Sequence, residues 1–60
     1  MISKNTADRF LKHYISILVD GRFFKGKLLN VTEKDLILLF DGKEQAYSLE
    51  SINRIQEVEV

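Results

Sequence analysis

The residues with the most chemistry to offer lie close together. Arg22, Lys25 and Lys27, with Phe23 between them, read as a basic and aromatic strip on the outward side of one β-strand. Lysine and arginine meet phosphates, and an exposed aromatic ring stacks on a nucleobase. The competing reading has Phe23 packed beneath a helix and the lysines merely solvated. Lys4, Arg9 and Lys12 could extend the strip along an N-terminal helix, or form its solvated face. Tyr47 is a second candidate platform for a base, or a strand aromatic at a subunit contact. These eight residues, Lys4, Arg9, Lys12, Arg22, Phe23, Lys25, Lys27 and Tyr47, are the candidate RNA-binding set.

Catalysis finds no comparable support. There is no nucleophile elbow, no glycine-rich phosphate loop and no metal-ligand spacing. The chain has no Cys and one His, His13, which lacks an acid or nucleophile partner at readable spacing. Asp20, Asp35 and Asp41 fall in turns, where Asp serves local hydrogen bonding. The expectation is a non-enzymatic protein with no cofactor and no metal.

Sixty residues make one domain, 1–60. A chain this short buries only about 60% of the surface its unfolded form exposes. Disulfides and thiolate metal sites are ruled out, so oligomerisation is the stabiliser left open. With 45% hydrophobic and 30% charged residues, the composition is that of a folded globule. No apolar run is long enough to span a membrane, and the N-terminus lacks the apolar core of a signal peptide. The lack of Cys fits a reducing cytoplasm. Net charge is zero but unevenly placed. Residues 1–27 carry six basic against two acidic residues, a balance of +4; residues 28–60 carry three against seven, a balance of −4. The basic half could meet a phosphate backbone, or the acidic half of another copy.

The elements that must position these residues follow from periodicity. A helix over 5–13 is expected, with Asn5 or Thr6 as N-cap and Asp8 in the first turn. Ala7, Phe10, Leu11 and Tyr14 would form its apolar stripe, laid over an open end of a sheet. Five strands follow, over 14–19, 22–31, 36–40, 43–49 and 53–60. Asp20-Gly21 and Asp41-Gly42 signal tight hairpins, because a type I′ turn needs positive φ. Gly26 in mid-strand marks a bend, and the apolar parity shifts after Leu28 as at a bulge. Leu36–Phe40 is continuously apolar, as if buried on both faces. Leu49–Ile52 looks like a single helical turn. Gly21, Gly26 and Gly42 are thus shape residues. The sum is a mostly β domain: a small, strongly bent five-stranded antiparallel barrel of Sm or SH3 type with a short N-terminal helix.

The run Ile15-x-Ile17-x-Val19-Asp20-Gly21-Arg22-x-Phe24-x-Gly26-x-Leu28-x-x-Val31 resembles the first motif of the Sm-like family, which includes Hfq and the LSm proteins. The resemblance implies RNA binding by a homo-oligomeric ring, closed by pairing the fourth strand of one copy with the fifth of the next. This chain departs from the family pattern at several places. Thr32 and Leu36 stand where many members hold a base with Asp and Asn. The Arg-Gly of the second motif is absent between Tyr47 and Ile55. Of the Tyr-Lys-His found in Hfq, only Tyr47 matches. A second stretch is similar to the C-terminal SH3-like domain of the RimP family. It comprises Gly26-Lys27-Leu28-Leu29-Asn30-Val31, then Asp41-Gly42-Lys43-Glu44, then Leu49-Glu50-Ser51-Ile52. That similarity implies a protein-interaction or ribosome-assembly module binding through a strand edge.

Overall fold

The structure, a computed structural model, describes residues 1–59. Helix α1 spans Lys4–Asp8, followed by strands β1 (Tyr14–Val19), β2 (Arg22–Val31), β3 (Asp35–Phe40) and β4 (Lys43–Ser48), a 3₁₀ turn (Leu49–Ser51) and β5 (Ile52–Glu57). All strands are antiparallel, in the order β4-β3-β2-β1-β5.

The long strand β2 belongs to two ladders. Its first half pairs with β1, from Val19↔Arg22 to Tyr14↔Lys27. Its second half pairs with β3, from Lys27↔Leu39 to Val31↔Leu36. The change of partner falls beside Gly26. A Cβ at Gly26 would lie 2.8 Å from the Leu39 carbonyl oxygen, so only glycine allows β3 this close. The bulge expected after Leu28 is present, as a register shift between Leu28 and Asn30. It turns Val31 inward. Both Asp-Gly pairs adopt left-handed φ, +50° and +79° at Asp20-Gly21 and +53° and +75° at Asp41-Gly42, as type I′ turns demand.

The curled sheet wraps one core, made by Ile15, Ile17, Leu28, Val31, Leu36, Leu38, Leu49 and Ile52 and sealed by Ala7. Among the described residues, β4 pairs only with β3 and β5 only with β1, so both outer strands keep a free edge.

Several boundaries differ from expectation. The helix ends at Asp8 rather than 13, and its N-cap is Ser3, whose Oγ accepts from the Thr6 amide at 3.2 Å. Asp8 therefore sits in the last turn, not the first, and pairs with Lys4 at 3.0 Å. Beyond it the chain tightens into i→i−3 bonds, Phe10 N–H to Ala7 O and Leu11 N–H to Asp8 O. Lys12, at φ +70°, then turns the chain into the sheet, its amide donating to Leu28 O at 2.7 Å. Of the expected stripe, Ala7 is buried and Phe10 packs on the core, but Leu11 is exposed and Tyr14 begins β1. Strand β3 gains Asp35, β4 ends at Ser48, and β5 runs over Ile52–Glu57 rather than 53–60. Val60 lies outside the described residues. Leu36 and Leu38 are buried, whereas Ile37 and Leu39 are half-buried and Phe40 is 54% exposed, so β3 has one core face rather than two.

Candidate nucleic-acid interface

Strand alternation places Phe23, Lys25 and Lys27 on the outer face of β2, opposite Leu18, Ser16 and Tyr14 of β1. All three are exposed, Phe23 by 61%. The reading in which Phe23 packs under the helix is therefore wrong, because the helix covers the other face of the sheet. Arg22 does not share the strip's face. It has the parity of Phe24 and Gly26, and is exposed only because it opens the strand at the hairpin. In its place the fold supplies Arg54, which β5 sets beside Leu18 on the outer face, in a row with Phe23. Nothing in the local sequence signals Arg54; its position follows from pairing strands 35 or more residues apart in the chain.

The curl at Gly26 brings the start of β2 against the hairpin of β3 and β4. A groove of about 420 Å³ opens there, lined by Phe23, Phe24, Lys25, Phe40, Lys43 and Tyr47, with Gln45 and Asp41 at its border. Three of the expected residues, Phe23, Lys25 and Tyr47, thus meet in one place. The Tyr47 ring is half-buried and tilted 41° to Phe24, with centroids 5.1 Å apart. That contact fixes the inner face of β4 against β2. Phe40 and Phe23 leave much of their surface to solvent. Two ammonium groups against one carboxylate give the lining a net positive charge.

Sequence reasoning missed Phe40, Lys43 and Gln45, yet a signal existed. A two-residue turn at Asp41-Gly42 puts Phe40 opposite Lys43, Leu38 opposite Gln45 and Leu36 opposite Tyr47, all on one face. The approach of Phe23 and Phe24 to that face needs the curl, which no local pattern states.

The helical cations do not join the groove. Lys4 is held by Asp8 and borders a separate hollow beside Ile2, Lys34, Leu49 and Glu50. Arg9 and Lys12 are exposed on the tightened turn. His13 faces Glu57, Nδ1 to Oε1 3.4 Å, across the junction of β1 and β5. Among the described residues no helix is long and apolar enough to cross a membrane.

No protein-family model, no curated protein and no solved structure matches this chain. Its own geometry carries the functional reading.

Proposed function

We propose that this protein is a non-enzymatic, Sm-like binder of single-stranded RNA that works as a homo-oligomeric ring. The observation that carries the reading is the groove between β2 and β4. It combines exposed aromatic faces at Phe23 and Phe40 with ammonium groups at Lys25 and Lys43. Rings that stack on a base contribute about 1–3 kcal/mol each, without regard to sequence. Lysines beside them take the phosphates on either side of that base. The amide of Gln45 offers a donor and an acceptor to a base edge. Two free edges on one open sheet support assembly: the β4 edge of one copy would receive the β5 edge of the next. Repetition around a ring then multiplies weak single contacts. The absence of Cys suits a reducing compartment, and the proposal sets the protein in the cytoplasm.

Anisotropy of labelled A-rich and U-rich single strands, titrated with salt, tests the reading. Binding should fall linearly on a log–log plot. The double variant Lys25→Ala/Lys43→Ala should lower the slope by about two, one per lost phosphate contact. If neither strand binds saturably at low salt, the reading is wrong.

The same free edges favour a second reading, a protein-interaction or ribosome-assembly module that adds a partner's strand to β4 or β5. A protein that stays monomeric at all concentrations would favour it.

A further inference from the structure

One strand serves both halves of the proposed function. Strand β4 supplies Lys43, Gln45 and Tyr47 to the groove, and the same strand carries a free edge. It is also the least anchored strand of the sheet. Five of its six residues are exposed, and only Tyr47 is half-buried. Its single ladder is with β3, and its inner face is fixed at one place, by Tyr47 against Phe24. An edge strand with so little buried surface carries residual freedom that any binding event must remove. Filling the groove removes it from one side; pairing a second copy along the edge removes it from the other. Whichever happens first lowers the ordering cost of the second.

We propose that groove occupancy and pairing of the β4 edge are positively coupled. A ligand made of one base and one phosphate promotes assembly, and assembly tightens that ligand. The inference rests on the reading above, and it adds a regulatory link that the reading alone does not contain. Reciprocity is required: the factor by which ligand shifts assembly must equal the factor by which assembly shifts ligand affinity. Avidity cannot mimic the effect if the ligand is too small to reach two grooves.

Adenosine 5′-monophosphate is such a ligand. Sedimentation velocity over a concentration series, with and without saturating nucleotide, gives the assembly midpoint. Titration by NMR below and above that midpoint gives the affinity of each state. The expected result is a midpoint lowered by about tenfold and an affinity raised by the same factor, in the usual range of coupled sites. Phe40→Ala, an exposed position, should abolish the nucleotide-dependent shift and leave assembly without nucleotide unchanged. Equal affinity for the two states overturns the coupling while leaving the nucleotide reading intact. No binding to either state overturns the nucleotide reading, and the coupling with it. A monomer that binds nucleotide at every concentration overturns the assembly half and the coupling together.

Discussion

At the scale of single residues, Gly21 and Gly26 look alike in sequence and differ in physical role. Gly21 faces open space, and its constraint is the left-handed φ of +79°. An alanine there meets no atom and costs roughly 1 kcal/mol, the penalty of a Cβ in that region. Gly26 has ordinary backbone angles, but its missing Cβ is where the Leu39 carbonyl sits, 2.8 Å away. That neighbour is backbone and is tied into two ladders, so it yields only if β2 and β3 part. Gly26→Ala should therefore cost about 1–3 kcal/mol, the usual range for overpacking, and open the groove as well. Urea unfolding of the two variants should rank Gly26→Ala as the more damaging. The opposite order would mean that turn geometry, not the close approach, limits this fold.

At the scale of elements, β3 separates what holds the fold from what serves the site. Leu38 and Phe40 lie two residues apart with the same parity, one fully inside and one at the groove. Leu38→Ala should cost about 2–5 kcal/mol, enough to unfold most molecules of a domain this small. Phe40→Ala should move stability by no more than about 1 kcal/mol, because its ring is already half in solvent. Thermal denaturation of both variants checks this; a large loss for Phe40→Ala would make it a core residue and weaken its claim as a binding surface. The same contrast shows what could be read in advance. The hairpins, the bend at Gly26, the bulge after Leu28 and the helical turn at Leu49 each have a local cause, and all were legible. The helix was overextended because Ala7, Phe10 and Leu11 fit a helical period that a run of 3₁₀ bonds also satisfies, and Lys12 gives no glycine-like warning of its positive φ. The strip at Phe23, Lys25 and Lys27 was legible from alternation. Its meeting with Phe40 and Lys43 was not, because that depends on how far the sheet curls.

At the scale of the whole molecule, the open sheet and the short chain pose one problem. Nine buried apolar residues make the core, and small domains with neither disulfide nor metal are marginal on such a core. The two free edges leave backbone donors and acceptors that a second copy could satisfy. If copies pair by β4 and β5, folding and association become one equilibrium, and apparent stability must depend on protein concentration. A hundredfold rise in concentration then adds on the order of 2 kcal/mol per copy. For a domain of this size each kcal/mol moves the melting midpoint by about 4–8 °C. Calorimetry across that range should therefore show a midpoint rising by roughly 10 °C. The edge strand gives a control. Lys43 and Glu44 occupy the end of β4, opposite Phe40 and Leu39, where they touch no other ladder. Charge reversal at both positions leaves the core intact but reorders the charges a neighbour must meet. It should lower the concentration dependence without lowering the midpoint measured at high dilution. A midpoint that stays flat with concentration in the parent protein would show that the sixty residues hold themselves, and that the free edges serve a partner other than a second copy.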